Sequence, residues 1–146
     1  MAEKIRVGVI GASVNRGWGW RSHLPALQAL PEYELVGVCT AHAETARDSA
    51  AATGARHAFT DYRELVAHPE IDLVTSAIRV PWHREIALAA AEAGKHVYCE
   101  WPLGTNLSEV EEMAEAARKA GVKAMPGLQA RAAPWVLQLK ELLDSG

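Results

Sequence analysis

The chain opens with the stretch IRVGVIGAS at residues 5–13, an apolar run that leads directly into a glycine turn. A stretch with helical character, HLPALQAL at residues 23–30, follows the turn. A buried strand that ends in glycine before a helix places free backbone N–H groups at the helix start, where the helix dipole favours negative charge. Such a site suits a pyrophosphate, so this stretch predicts a nucleotide-binding α/β domain.

The glycine turn departs from the dinucleotide fingerprint, which has glycine at its first, third and sixth positions. Gly11 occupies the first position, but Ser13 and Arg16 occupy the other two, and the next glycines are Gly17 and Gly19. The turn is therefore expected to be longer than usual, and polar side chains could replace the missing glycines as phosphate partners. The cofactor-binding residues that we predict in this turn are Gly11, Ser13, Val14, Asn15, Arg16 and Trp18. The alternative is an ordinary strand–loop–helix connection.

The composition describes one globular domain. The chain has 146 residues, 49% of them hydrophobic, and a formal net charge of −3. It contains no basic stripe that would indicate nucleic acid, no apolar run long enough for a bilayer, and no charged-then-apolar leader. Its two cysteines, Cys39 and Cys99, lack metal-ligand spacing, so we expect no metal site and free thiols in a reducing cytoplasm.

Predicted strands and helices alternate along the whole chain, which indicates a parallel sheet covered on both faces. The strands are predicted at residues 5–10, 34–39, 57–59, 71–78, 95–99 and 122–125. The helices are predicted at residues 23–30, 43–52, 62–66, 82–93, 107–120 and 134–143. Right-handed crossovers then give a doubly wound α/β (Rossmann) fold with strand order 3-2-1-4-5-6. We expect a dinucleotide-binding domain at residues 1–130.

The last helix has an apolar face that includes Trp135, Leu139, Leu142 and Leu143. Nothing after it in the chain would cover that face. We therefore predict that residues 131–146 lead into a second domain that this chain does not contain. We also expect the helix to pack on its own sheet or on another chain, and the protein to form a homo-oligomer.

Ligands of open α/β sheets bind beyond the carboxyl ends of the strands. The second strand ends at Thr40 and His42, with no acidic residue to hold the ribose 2′-hydroxyl of NAD. These side chains could accept a 2′-phosphate, which slightly favours NADP, although His42 could equally be a solvated loop residue. The fourth strand ends at Ile78 and Arg79, and Arg79 is either a phosphate or base contact or an exposed surface arginine.

Near the fifth strand the sequence becomes more specific. AGKHV at residues 93–97, followed by Glu100-X-Pro102-Leu103, resembles the Gfo/Idh/MocA family of NAD(P)-dependent oxidoreductases. The similarity spans the chain, because it includes His83 after the fourth strand and GLQ at residues 127–129. It implies NAD or NADP as cofactor, a sugar or polyol as possible substrate, and a cis Trp101–Pro102 bond. It also implies cofactor contacts by Ile78, Arg79, His83, Glu100, Trp101 and Gln129.

Two departures from the family pattern determine which alternative functions we consider. Members carry a lysine between the glutamate and the proline, where this chain has Trp101, whose indole N–H cannot exchange a proton at a usable pKa. With Trp101 and the long glycine turn, the sequence resembles the family branch that contains the fungal galactose-pathway repressor. That protein is a regulator that binds dinucleotide without turning it over. The chain is thus predicted to belong to a sugar or polyol oxidoreductase, a non-catalytic regulator, or a related domain that binds no nucleotide. We assign no catalytic residue.

Overall fold

A computed structural model describes residues 3–146, so residues 1 and 2 of the predicted 1–130 domain lie outside the described part. Its strands are β1 (Ile5–Ile10), β2 (Tyr33–Cys39), β3 (His57–Phe59), β4 (Leu73–Ser76), β5 (His96–Glu100) and β6 (Ala124–Gly127). Its α-helices are α1 (Leu24–Ala29), α2 (Ala43–Thr53), α3 (Tyr62–Ala67), α4 (His83–Glu92), α5 (Leu107–Ala120) and α6 (Pro134–Asp144). The strands form one parallel sheet in the order β3-β2-β1-β4-β5-β6, which confirms the predicted fold.

The largest boundary difference concerns β4, which is half the length predicted at residues 71–78. Ile71 is fully buried, yet its N–H donates to the carbonyl of His68 in a turn rather than to the sheet. Ile78 lies beyond the other end of the strand, where the chain enters a loop that lines the candidate site. Apolar character predicted burial correctly here, but it overstated the length of the strand.

The sheet is covered on both faces. Val7, Val9 and Leu24 belong to a core cluster on one face, and Leu65 and Ile71 belong to a cluster on the other. Gly8 of β1 lets Leu65 pack closely against the second face of the sheet, because a Cβ at residue 8 would lie 2.7 Å from the Leu65 side chain. The alternating faces of β1 therefore hold helices against both sides of the sheet.

Hydrogen-bonded caps mark two helix starts. At the start of α3 the Asp61 carboxylate accepts the Arg63 N–H at 2.9 Å, as an N-cap side chain does. At α5 the Asn106 side chain accepts the Glu109 N–H at 3.0 Å, while the Glu109 carboxylate accepts the Thr105 N–H at 2.7 Å. This reciprocal pair explains why the predicted bounds of α5 agree with the structure.

The final helix differs from expectation. Every residue of α6 is at least partly exposed, and Trp135 and Leu143 expose 67% and 73% of their surface. Of the two predicted alternatives, packing of α6 on its own sheet is not seen in this structure, because the chain leaves the sheet at its β6 edge and the main contacts of α6 among the described residues are with the short helical turn Gln129–Ala132. Packing on another chain stays a prediction. Within residues 3–146, no helix has the length and apolar character needed to cross a bilayer.

Both cysteines are buried free thiols, and burial raises the pKa of Cys39 and of Cys99 to about 12. Because the thiolate is the reactive form, we expect neither residue to react with iodoacetamide at neutral pH in the folded protein. Mass spectrometry should show both alkylated once urea unfolds the chain. Rapid alkylation of either cysteine in the native protein would contradict this burial.

Candidate functional site

The carboxyl ends of β1, β2, β4 and β5 lie side by side, and the glycine turn leaves the sheet among them. Gly11 has φ +92, and a Cβ at this position would lie 2.5 Å from the Ala77 carbonyl oxygen. Only glycine meets both requirements without displacing the backbone of the neighbouring strand. The turn therefore begins in close contact with the loop that follows β4.

The long turn is internally braced. The Arg16 N–H donates to the Ser13 carbonyl at 3.0 Å, and the Val14 N–H donates to Ser49 Oγ of α2 at 3.0 Å. Asn15 adopts φ 58, the left-handed region that asparagine tolerates better than most residues. The predicted contacts between this segment and a pyrophosphate stay predictions, with Asn15 and Arg16 exposed.

A second glycine closes the turn. Gly19 is buried, and a Cβ there would lie 2.6 Å from the Gly11 carbonyl oxygen. Gly19 therefore allows the close approach of helix and strand that the last glycine of the usual fingerprint provides. The sequence predicted a longer turn but did not assign this packing role to Gly19. The late position of this glycine was the signal that could have indicated it.

A first cleft of about 400 Å³ opens beside the start of the turn. Gly11, Thr40, Ile78 and Arg79 line it. Thr40 is buried, and its hydroxyl lies 2.7 Å from the Thr45 hydroxyl, so this side chain also braces the entry to α2. The Arg79 side chain is exposed at the rim, which leaves its guanidinium accessible to a ligand.

His42, the other residue predicted at the end of β2, lies directly before α2 and is exposed. Its side chain does not cap the helix. The structure thus leaves the imidazole available at the edge of the first cleft.

A second cleft of about 340 Å³ opens at the far end of the turn. It brings together five of the predicted site residues and Ala77, and its lining residues are Trp18, Ala77, Ile78, Glu100, Trp101 and Gln129. Trp18 and Trp101 expose 47% and 62% of their surface, so two indoles stand at this cleft. The peptide bond between Trp101 and Pro102 is cis, as predicted.

Glu100 is the most heavily bonded side chain of the second cleft. It is buried, and its Oε1 accepts the Trp18 indole N–H at 3.1 Å and lies 2.6 Å from His23 Nε2. Its Oε2 accepts a hydrogen bond from the Gln129 amide at 2.6 Å. Gly127 lies beside the carboxylate, where a Cβ would approach to 3.0 Å. One carboxylate therefore ties together the glycine turn, β5 and the segment after β6.

Sequence reasoning did not predict His23 as a site residue. The π-helical turn Gly19–His23 before α1 positions the His23 ring so that it hydrogen-bonds to Glu100. The same ring packs edge-on against Tyr98, with the ring centroids 5.3 Å apart. Burial and the neighbouring Glu100 raise the pKa of Tyr98, which keeps its hydroxyl neutral. The histidine therefore contacts the carboxylate, and the tyrosine packs against the histidine.

His83 lines neither of the two clefts. Its ring is buried, with Nδ1 2.9 Å from the Pro102 carbonyl oxygen and Nε2 3.0 Å from the Ile78 carbonyl oxygen. Both ring nitrogens therefore face backbone carbonyls of the loops that follow β4 and β5. In this position His83 supports the loops, and a direct cofactor contact by this residue stays a prediction.

These features, a doubly wound parallel sheet with a glycine turn between two clefts at its carboxyl edge, define a dinucleotide-binding domain of the Rossmann type. Residues 5–128 match the oxidoreductase family GFO_IDH_MocA, NAD-binding Rossmann fold. The chain belongs to this family, in agreement with the resemblance found in its sequence.

Curated relatives have different roles. The chain is 37% identical to the dehydrogenase aclE of Aspergillus oryzae, with 100% of this chain and 42% of the relative covered. It is 29% identical to the galactose/lactose metabolism regulatory protein GAL80 of Saccharomyces cerevisiae, with 99% and 35% covered. The chain thus spans less than half the length of either relative.

Solved structures agree with this assignment. An NAD binding oxidoreductase from Klebsiella pneumoniae superposes with a TM-score of 0.85 at 35% identity, covering 98% of this chain and 39% of that one. KijD10, a 3-ketoreductase from Actinomadura kijaniata in complex with NADP and TDP-benzene, gives a TM-score of 0.91 at 30% identity, covering 99% and 43%.

Proposed function

We propose that this chain is the NAD(P)-binding domain of an oxidoreductase that acts on a CH–OH group of a sugar or polyol. The observation that carries the proposal is the pair of clefts on either side of the turn that begins at Gly11. Two connected sites separated by a glycine turn fit the two nucleoside ends of a dinucleotide, with the pyrophosphate over the turn.

The first cleft suits the adenosine end, because Thr40 and Arg79 line it and the exposed His42 directly follows Ala41, another lining residue. These side chains could hold the ribose and a phosphate on it. The second cleft suits the nicotinamide end. There Glu100 Oε2 has one protein donor, Gln129, and keeps lone-pair capacity for an N–H or O–H of a ligand. When bound, the cofactor would accept or supply the hydride in this cleft, whose protein walls would orient it.

A preference for NADP over NAD is part of this proposal. Residues 40–43, directly after β2, include no acidic side chain that would repel a 2′-phosphate, whereas the exposed His42 and Arg79 can donate to one. We expect calorimetric titration to show tighter binding of NADP, and Arg79→Ala to reduce that advantage without abolishing NAD binding. Tighter binding of NAD to the unaltered chain would overturn the preference.

A dinucleotide-binding regulator is the second candidate, and Trp101 is the observation that favours it. The indole stands exposed in the second cleft, where the family resemblance places a lysine. An indole can donate a hydrogen bond or stack on a ring, but it cannot take the hydroxyl proton that leaves when an alcohol loses hydride. The regulatory role of GAL80 shows that proteins similar to this chain include regulators.

We expect this chain alone to show no measurable oxidation or reduction of sugars. Trp101 cannot act as the base, and His83 has both ring nitrogens against backbone carbonyls. His23 lies behind Glu100 rather than on the surface of the cleft. Without a positioned base and substrate, several orders of magnitude in rate are lost. An NAD(P)H absorbance assay over a panel of sugars and polyols tests this, and robust turnover that survives Trp101→Ala would contradict it.

The domain organisation completes the proposal. Residues 131–146 would lead into a second domain, and the apolar face of α6 would pack on that domain or on another copy of the chain in a homo-oligomer. The exposed α6 and the greater length of the relatives support this reading. The two free buried thiols are compatible with the reducing cytoplasm as the location.

A further inference from the structure

Two histidines and a glutamate meet at the end of the sheet opposite the clefts. His57 is the first residue of the edge strand β3, His68 follows α3, and Glu70 lies in the turn that leads to β4. One potential ligand atom from each residue lies within 4.8 Å of the other two. All three side chains are partly exposed, so an ion could reach them from solvent.

The spacing is close to that of a metal site. The ligands of a tetrahedral zinc ion lie about 2.0–2.1 Å from the metal, and therefore roughly 3.3 Å from one another. His57 Nε2 and Glu70 Oε2 are 3.0 Å apart, and the His57 and His68 ring centroids are 4.2 Å apart. Small side-chain rotations would bring the three ligand atoms around one ion.

The backbone holds the ligands in place. The Ile71 N–H donates to the His68 carbonyl at 3.2 Å, and the fully buried Ile71 side chain anchors the turn in the core. Lys95 donates to the same carbonyl at 3.1 Å. His68 Nδ1 accepts the Glu70 N–H at 3.3 Å, a long hydrogen bond that this nitrogen must give up when its lone pair binds an ion.

Two cations lie beside the cluster: the Arg56 guanidinium is 3.4 Å from Glu70, and the Lys95 ammonium is 3.1 Å from the His68 carbonyl oxygen. Arg56 is the one that pairs with a ligand carboxylate. The same guanidinium forms a second ion pair with Glu34, which provides an alternative partner when a cation takes Glu70. The cluster therefore has a way to accommodate a divalent ion without leaving Arg56 unpaired.

We propose that His57, His68 and Glu70 bind a zinc ion through two imidazole nitrogens and one carboxylate oxygen, with water as a fourth ligand. Two nitrogens and a carboxylate are a common donor set for zinc. Binding replaces the hydrogen bond between His57 and Glu70, and the His57 proton moves by exchange with solvent from Nε2 to Nδ1, so that the neutral imidazole ligates through Nε2. The ion would tie the edge strand β3 to the end of α3 and the turn before β4.

A calorimetric titration of the untagged chain with zinc chloride tests the proposal. We expect one ion per chain, a higher melting temperature with zinc, and a Co²⁺ complex with the visible absorption of a four-coordinate ion. His68→Ala and Glu70→Gln should each weaken zinc binding by at least about tenfold. His42→Ala removes a histidine outside the cluster and should leave zinc affinity unchanged.

Glu70→Gln keeps the size of the side chain, so it separates a lost ligand from a lost fold, and circular dichroism confirms the fold of each variant. Absence of zinc binding by the unaltered chain would overturn the proposal. Binding that persists unchanged in both cluster variants, or that His42→Ala abolishes, would overturn it as well. None of these outcomes depends on cofactor binding at the other end of the sheet.

Discussion

Gly11→Ala is expected to abolish dinucleotide binding and to lower the free energy of unfolding by about 2–4 kcal/mol. Two costs combine at this position. The backbone at φ +92 is unfavourable for any residue with a Cβ, and that Cβ would lie 2.5 Å from the Ala77 carbonyl oxygen. Relief of the overlap must move the turn away from β4, which separates the two clefts that a dinucleotide would bridge. Urea unfolding and calorimetric cofactor titration measure the two effects.

Gly54→Ala is the matched control. Gly54 also has a positive φ, +76, but a Cβ there would meet nothing within 4 Å. The Gly54→Ala variant should lose only about 1 kcal/mol in the free energy of unfolding, from the unfavourable backbone conformation, and should retain cofactor binding. Equal losses of stability and of cofactor binding in the two variants would show that the close approach of residue 11 to Ala77 does not constrain the turn.

Glu100→Ala should have the second large effect, a loss of about 3 kcal/mol in the free energy of unfolding together with weaker cofactor binding. The substitution leaves Trp18, His23 and Gln129 without their shared acceptor in a buried position. Trp18 and Gln129 line the second cleft, so their release should disorder its walls.

Glu92→Ala provides a control for the loss of a glutamate on an exposed surface, and it should change neither property. Denaturant unfolding and cofactor titration apply to both variants. If Glu100→Ala were as stable as the unaltered chain and bound cofactor equally well, the carboxylate could not be the organising group of the second cleft.

Strong local signals made much of the fold predictable. The helix α5 agrees with its predicted bounds because Asn106 and Glu109 specify its start, and glycine follows its end. The strand order follows from alternation and crossover handedness. The length of β4 was overestimated because Ile71 is buried from a turn, and burial by itself does not distinguish a turn from a strand.

The site was predictable where it depends on strand ends and less so where it depends on side-chain contacts across the fold. Gly11, Glu100 and Trp101 follow from motifs at two strand ends. His23 lies 77 positions from Glu100 in the chain, and only the π-helical turn brings the two together. The cluster of His57 and Glu70 was missed for the same reason, because its residues come from three elements without a recognisable spacing.

Dinucleotide binding at the carboxyl edge of this sheet underlies every function proposed for the chain. Its most direct test is a titration of the ¹⁵N-labelled chain with NADP, followed residue by residue in amide NMR spectra. We predict saturable shifts at residues 11–19, 40–42, 78–79, 100–101 and 129, with the amides of residues 57, 68 and 70 unchanged. The absence of saturable shifts at millimolar cofactor, or shifts confined to the opposite end of the sheet, would contradict dinucleotide binding at the carboxyl edge.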